Sequence, residues 1–402
     1  MHYIKGVDQP KKYDKMECKG AKMYRRLLKK PLESDHSFFL FGPRGTGKTS
    51  WLKSEIPESL FIDLLNQETF FQLLAHPHEI EGMIPKGFKD WIIIDEVQKI
   101  PDLLNEVHRM IEAYGYKFIL TGSSARTLKR KGTNLLAGRA LYYKMFPLTA
   151  IELGVDFKLE KSLKIGQMPT VHIQKVDPFS YLNAYIHVYL REEVMQEGLT
   201  RNAGAFARFL QTASFSQGSL VNITEIAREA SIERKTVEEY FQILEDLLLG
   251  TRIPIFTKRA KRKLISHPKF YYFDVGVYRA IRPMGPFDSP EEAEGPAMES
   301  LVFQELQAIN SYFDFKYEIF FWRTVDKLEI DFILYGPKGL IAIEVKRSKK
   351  IHSDDLRALK AFQADYPIAK LYIFYGGNQR LYFDSIEAIP LSEALLHLPE
   401  LL

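Results

Sequence analysis

Phe38-Phe39-Leu40-Phe41-Gly42-Pro43-Arg44-Gly45-Thr46-Gly47-Lys48-Thr49-Ser50-Trp51-Leu52 is the stretch on which the fold turns. A short apolar strand runs into a complete G-x-x-x-x-G-K-[ST] pattern, and a helix over Lys48 to Glu55 follows. Glycines let the backbone curl so that successive N–H groups turn inward at phosphate oxygens. The helix adds its positive N-terminal end at the same place. Lys48 then reaches the β- and γ-phosphates, and Thr49 offers its hydroxyl to magnesium. Gly42, Pro43, Arg44, Gly45, Thr46, Gly47, Lys48, Thr49 and Ser50 are therefore the candidate nucleotide-binding residues, with ATP and magnesium as ligands. A ligand-free glycine-rich turn would share the composition but has no reason to sit between a strand and a helix.

Downstream, Trp91-Ile92-Ile93-Ile94-Asp95-Glu96 is an apolar strand ending in two carboxylates, the Walker B pattern. Asp95 is placed to hold magnesium, and Glu96 to polarise an attacking water. A buried strand capped by a surface acidic pair is the competing reading. Phe118 to Thr121 forms a further strand that leads into Gly122-Ser123-Ser124-Ala125-Arg126. Ser123 is the candidate polar group beside the γ-phosphate, with Thr121 next to it. Arg126 and Arg139 are candidate γ-phosphate arginines, in cis or from a neighbouring copy, or else ordinary surface arginines.

Working outward, apolar runs at Ser37 to Phe41, Ser59 to Asp63, Trp91 to Asp95 and Lys117 to Thr121 alternate with helical spacing, as at Asp102 to Tyr114. Such alternation indicates a parallel sheet covered on both faces. The block closes near Leu141 to Pro147. Phe179 to Gln196 and Ala205 to Ala213 have helical spacing. Asn222 to Ala230, with Thr224 near its cap, and Glu233 to Leu249 read as a helix-turn-helix. The second of these helices carries Glu233, Glu238, Glu239 and Glu245, which suits protein packing better than a DNA groove. Lys258, Arg259, Lys261, Arg262 and Lys263 follow, either a basic wing for phosphates or a solvated hairpin. Met284 to Gly295 reads as a linker. The expected divisions are an extension over 1–36, an ATPase core over 37–147, a helical subdomain over 148–215, a winged-helix-like region over 216–283, and a C-terminal domain over 284–402.

That last part opens with a helix over Ala297 to Asn310 and holds a second constellation. Leu328 to Tyr335 alternates as a strand, Gly336 to Gly339 turns it, and Leu340 to Lys346 returns. Period-two alternation puts Glu344 and Lys346 on one face, and the hairpin brings Asp331 beside them. Glu299, on the preceding helix, completes the acidic set. Carboxylates with an adjacent lysine suit a magnesium site for phosphodiester hydrolysis, with Asp331 and Glu344 as metal ligands. Salt bridges on a surface hairpin are the alternative.

A charged fraction of 26% and a hydrophobic fraction of 46% are those of a globular protein, and the net charge of +4 neither demands nor excludes nucleic acid. Cys18 is the only cysteine, which excludes an intrachain disulfide and a cysteine-rich metal site. The first residues lack an apolar core and do not read as a secretory signal. No apolar run is long enough to span a bilayer, so a cytoplasmic location is expected.

FFLFGPRGTGKTSWL, WIIIDEVQKIPDLL and FILTGSSARTLKRKGTNLLAGRA resemble the prokaryotic AAA-type ATPases of the archaeal ATPase group, near the STAND NTPases. SYLNAYIHVYLREEV and GSLVNITEIAREASIERKTVEEYFQILEDLLLG resemble the middle region usual in that group. GPAMESLVFQEL, FFWRTVDKLEIDFIL and GLIAIEVKRSK look like its C-terminal domain of unknown function, of the PD-(D/E)XK nuclease-like fold. The resemblance implies an α/β fold: a P-loop NTPase parallel sheet, a helical and winged-helix middle, and a restriction-endonuclease-like α/β end. It implies Glu299, Asp331, Glu344 and Lys346 as nuclease-type positions. Three functions follow as expectations: an ATPase coupled to a nuclease-like module acting on DNA, a nucleotide-gated switch or scaffold whose module binds without cleaving, and a winged-helix DNA-binding regulator. A homo-oligomer is compatible with each.

Overall fold

The apolar runs around the glycine-rich loop become the strands of one parallel sheet. The computed structural model describes residues 16–18, 21–123, 126, 136–173, 176–190, 194, 202–257, 267–285 and 290–402. Strands β1 (Ser37–Phe41), β2 (Leu60–Asp63), β3 (Trp91–Asp95), β4 (Lys117–Gly122) and β5 (Ala140–Lys144) pair in the order β2-β3-β4-β1-β5, all parallel. β1 and β3 are buried at every position, as strands covered on both faces must be. Helices α1 (Lys48–Glu55), α2 (Gln67–Ala75) and α3 (Leu103–Tyr114) accompany them. Asn66 caps α2 by accepting from Thr69 N at 3.0 Å, and Gly115 ends α3 with a left-handed φ of 67°. α3 turns Leu103, Leu104, Val107 and Met110 to the core, the spacing of one helix face.

The middle region is helical. It contains α4 (Ala150–Leu153), α5 (Leu159–Ile165), α6 (Pro169–Ile173), α7 (Pro178–Ala184), a π-helical segment (Tyr185–Leu190) and α8 (Ala203–Ser214). The helix expected over Phe179 to Gln196 is thus α7 continued by π-helix, and residues 191–193 and 195–196 lie outside the described residues. α9 (Ile223–Ala230) and α10 (Arg234–Asp246) form the helix pair, capped by Asn222 rather than Thr224, and β6 (Gly250–Ile253) pairs antiparallel with β7 (Lys269–Tyr272). The basic stretch Lys258 to Lys263 lies outside the described residues. α10 uses its acidic end inside the protein: Glu245 holds Arg252 at 2.6 Å, and Asp246 holds Arg126.

After α11 (Val275–Ile281), the expected linker proves partly helical. Helix α12 (Pro290–Tyr312) starts at Pro290 instead of Ala297. The C-terminal sheet contains β8 (Glu318–Arg323), β9 (Glu329–Gly336), β10 (Gly339–Lys346), β11 (Lys370–Tyr375), β12 (Leu381–Phe383) and β13 (Ile386–Pro390), in the order β8-β9-β10-β11-β13-β12. β10-β11 and β11-β13 are parallel and the other pairs antiparallel. α13 (Arg357–Asp365) connects β10 to β11, and α14 (Leu391–Leu396) and α15 (Leu398–Leu401) close the chain.

Sequence divisions do not divide the cores. One apolar core runs from Ala150 through the middle helices and α12 to Leu402. Ala308 and Tyr312 of α12 join another with Leu28, Phe38 and Trp51, beside the parallel sheet. Among the described residues, no helix is long and apolar enough to cross a membrane.

Glu305 sits buried in α12 at this junction, its Oε1 accepting from Ala150 N at 2.6 Å. Burial, with the charge of Glu152 adding to it, pushes its carboxyl up to about 8, partly opposed by the Ala150 N–H. A carboxyl with a raised folded-state pKa stabilises fully below its ordinary value of 4.5, and that contribution is lost as pH rises through about 8. Glu305→Gln, which imitates the protonated form, should therefore melt like the wild type near pH 5 and higher than it near pH 8.5. Thermal unfolding at the two pH values checks this.

Candidate nucleotide site and C-terminal acidic cluster

The loop after β1 needs its glycines for stated reasons. Gly45 and Gly47 adopt φ of 83° and 92°, the left-handed region that side chains resist. Gly42 has no room for a side chain, since a Cβ there would lie 2.3 Å from the Met145 carbonyl oxygen just beyond β5. Lys48 opens α1 and donates to the carbonyls of Gly42 at 2.6 Å and Pro43 at 3.3 Å, folding its ammonium over the loop. The middle region touches the loop as well. Tyr185, in the π-helical segment, donates to the Arg44 carbonyl at 3.0 Å.

β3 ends directly beside this loop. Thr49 Oγ1 donates to Asp95 Oδ2 at 2.8 Å, and Thr121 of β4 donates to Asp95 Oδ1. A hydroxyl and a carboxylate side by side are hard oxygen donors of the kind magnesium takes, so these residues fit that ion. Glu96 follows with φ 60°, a left-handed conformation uncommon for a non-glycine residue. Gln98 Nε2 donates to Glu96 Oε2 at 2.5 Å and to Ser123 Oγ at 3.3 Å. Gly122 makes space for it, because a Cβ there would lie 2.2 Å from Gln98 Oε1. Ser123 thus meets Asp95's neighbour through Gln98, while Thr121 makes the direct contact with Asp95. The two arginines point elsewhere: Arg126 is paired with Asp246 and Arg139 with Glu112.

A cavity of 880 Å³ opens between the loop, with Asp95 and Glu96, and a wall that includes Tyr24, Arg25, Pro169 and Ile173. Arg26, 6% exposed, fixes that wall. Its guanidinium donates to Glu152 Oε1 at 3.0 Å, to the Thr46 carbonyl at 2.6 Å, to the Phe146 carbonyl at 2.6 Å and to Tyr312 Oη at 3.0 Å. Burial works against this charge, but Glu152 overcomes it and holds the pKa above that of an ordinary arginine. Tyr312 in turn accepts from Phe146 N at 2.9 Å.

In the C-terminal domain the hairpin β9–β10 does gather the expected side chains. Asp331 Oδ2 accepts from Val345 N at 2.9 Å, and Lys346 Nζ holds Glu344 Oε1 at 2.6 Å. Glu299 of α12 accepts from Tyr271 Oη at 3.1 Å. A residue absent from the expectation sits among them. Lys269 of β7, 1% exposed, places Nζ 2.5 Å from Glu329, 3.2 Å from Asp331 and 3.7 Å from Glu299. Burial raises the Glu299 carboxyl to about 8, with Asp331 adding to it and Lys269 opposing it, and burial likewise lifts Glu344 well above the usual carboxylate range.

Asp331 and Glu344, expected as magnesium ligands, thus lie within a cluster that also holds two lysines. Asp331 has one oxygen on Lys269 and the other accepting from a backbone N–H. Among the described residues, no group of three or more His, Cys, Asp or Glu side chains is arranged to hold a metal ion.

Sequence reasoning also passed over Arg26, Gln98, Glu152 and Tyr312. Lys269 did carry a signal: it is the lone charge in Lys269-Phe270-Tyr271-Tyr272-Phe273, and a lysine in a buried strand needs a partner. Arg26 carried none.

Residues 34–154 match the AAA domain family, residues 156–288 a domain of unknown function (DUF8612), and residues 294–394 a domain of unknown function (DUF4143). The chain is 22% identical over 345 residues to an uncharacterized protein of Haemophilus influenzae, spanning 78% of this chain and 83% of that one. It is 22% identical over 391 residues to an uncharacterized protein of Methanocaldococcus jannaschii, spanning 87% and 84%. Among solved structures, the Aeropyrum pernix ORC1 protein in complex with DNA is similar at 14% identity and a TM-score of 0.25, over 61% of this chain and 86% of that one. A STAND protein with a tetratricopeptide repeat sensor from Pyrococcus horikoshii is similar at 14% and 0.23, over 76% and 50%. At such TM-scores neither likeness carries an argument.

Arg26 generates a direct test of the wall. Arg26→Met leaves the Glu152 carboxylate buried without its cation and should cost about 3–5 kcal/mol. Chemical denaturation measures it, and adding Glu152→Gln should recover part of the loss.

Proposed function

We propose that residues 34–154, which match the AAA domain family, form an ATPase domain and that the whole chain is an ATP-operated switch: it binds magnesium-ATP on Gly42 to Ser50, hydrolyses it, and relays the nucleotide state to the C-terminal domain. The observation that carries the relay is the Arg26 guanidinium, which joins the Thr46 carbonyl of the loop to Tyr312 at the end of α12. A loop that tightens on phosphates moves Thr46, and Arg26 has no slack to absorb that movement without passing it to Tyr312.

The geometry supports a role for each residue in this reading. The backbone N–H groups of the loop and Lys48 hold the phosphates, which requires the Lys48 ammonium to leave the Gly42 and Pro43 carbonyls. Thr49 and Asp95 would hold magnesium, which supplies charge neutralisation at the phosphates when bound. Glu96 takes the proton of the attacking water, and Gln98 governs when its carboxylate is released for that work. Thr121 keeps Asp95 oriented, and Ser123 shares Gln98 with Glu96. Arg126 and Arg139 are engaged with carboxylates, so this reading uses neither as an in-cis γ-phosphate ligand.

A second reading rests on the convergence of Glu299, Asp331, Glu344 and Lys346: a PD-(D/E)XK-like module whose ligand is DNA. The assembled hairpin supports the fold position, and Lys269 within it argues for binding without cleavage.

Turnover assays separate these claims. Lys48→Ala should abolish ATP binding, while Glu96→Gln should bind ATP and lose turnover by about a hundredfold or more. For the relay, ATP added to Glu96→Gln protein should change amide hydrogen exchange in α12 and α4. The same addition should leave those segments unchanged when Tyr312→Phe is also present. Unaltered exchange in the Glu96→Gln protein on saturation with ATP would sink the relay and leave the ATPase standing.

A further inference from the structure

The C-terminal cluster has the plan of a cation site, and the cation in it is a side chain of this chain. Glu299, Glu329 and Asp331 surround Lys269 Nζ at 3.7, 2.5 and 3.2 Å, and the ring of Phe321 lies 5.8 Å from it. Lys269 arrives on β7, a strand of the middle region, whereas the carboxylates belong to α12 and β9 of the C-terminal domain. The approach is built. Gly218, with φ 67°, lies so close to Glu299 that a Cβ there would stand 2.9 Å from Oε2, and Tyr271, two residues after Lys269, donates to that same oxygen. Outside this cage, Arg323 holds the second Glu329 oxygen at 2.9 Å, and Lys346 holds Glu344. Among the described residues, Glu344 Oε2 and Arg323 Nε are buried without a hydrogen-bond partner.

We infer that Lys269 is the resident cation of this cluster, taking the place a divalent ion would have, so that the C-terminal domain is assembled and works without metal. A lysine ammonium neutralises carboxylates but cannot lower the pKa of a bound water as a divalent ion does. The cluster therefore lacks the means to generate a hydroxide nucleophile. Its work is to clamp β7 of the middle region onto α12 and β9, which makes the middle region and the C-terminal domain one unit for any movement that reaches α12. The inference deepens the nuclease-like reading and rests on it for the identity of the cluster, but not for the role of Lys269.

The test uses the full chain without nucleotide, with manganese as probe. Manganese binding is measured by electron paramagnetic resonance and thermal unfolding with manganese or EDTA, for wild type, Glu344→Gln, Lys269→Ala and Lys269→Ala/Glu344→Gln. The wild type and Glu344→Gln should bind manganese identically, and EDTA should not shift the melting of the wild type. Lys269→Ala should melt lower and gain a manganese site that restores its melting temperature and disappears in the double variant. A manganese site in the wild type that is lost in Glu344→Gln would overturn the inference even if Lys269→Ala failed to fold. So would a Lys269→Ala protein as stable as the wild type. DNA binding assayed in parallel keeps the two ideas apart: no binding, with the expected metal behaviour, removes the DNA reading and leaves Lys269 in its role.

Discussion

The guanidinium of Arg26 is the interaction on which the arrangement depends. A charge this deeply buried is tolerable only where every donor is met, and Arg26 is met by one carboxylate, backbone carbonyls and a tyrosine hydroxyl. Its acceptors come from the glycine-rich loop, from the segment after β5, from α4 and from α12. Satisfying one side chain therefore fixes four parts of the chain relative to each other. The close approach of Gly42 to the Met145 carbonyl belongs to the same constraint, since it brings that segment within reach of the arginine.

Lys269 solves a comparable problem with opposite bookkeeping. Around Arg26 a single cation collects mostly neutral acceptors, and Glu152 alone balances the charge. Around Lys269 several carboxylates share cations from two regions of the chain, and the remaining repulsion shows in the raised Glu299 and Glu344 carboxyls. Both centres tie sequence-distant regions together at places where the apolar core is already continuous. The protein thus has buried ionic joints where a division into independent domains would place flexible boundaries.

The parallel sheet was legible nearly residue by residue. β1, β3 and β4 are short apolar runs, and runs of that kind leave little freedom over where a strand begins and ends. The hairpin with Asp331, Glu344 and Lys346 was legible for a similar reason, since alternation at period two fixes which side chains share a face. α12 was misjudged because Pro290, Gly295 and Pro296 read as turn residues, while the helix accepts them. β12 and β13 went unread because they are short and complete a sheet whose edge only the folded chain defines.

The sequence by itself determined the form of the glycine-rich loop and the pairing of Asp95 with it, because strand, loop and helix are consecutive and their geometry is local. It also determined that Asp331, Glu344 and Lys346 would meet, because one hairpin brings them together. Only the tertiary structure decided what those sites are surrounded by. Arg26 to Tyr312 and Lys269 to Asp331 are contacts across 286 and 62 positions. No local pattern specifies such contacts; they exist because buried charges must find partners wherever the packed chain supplies them.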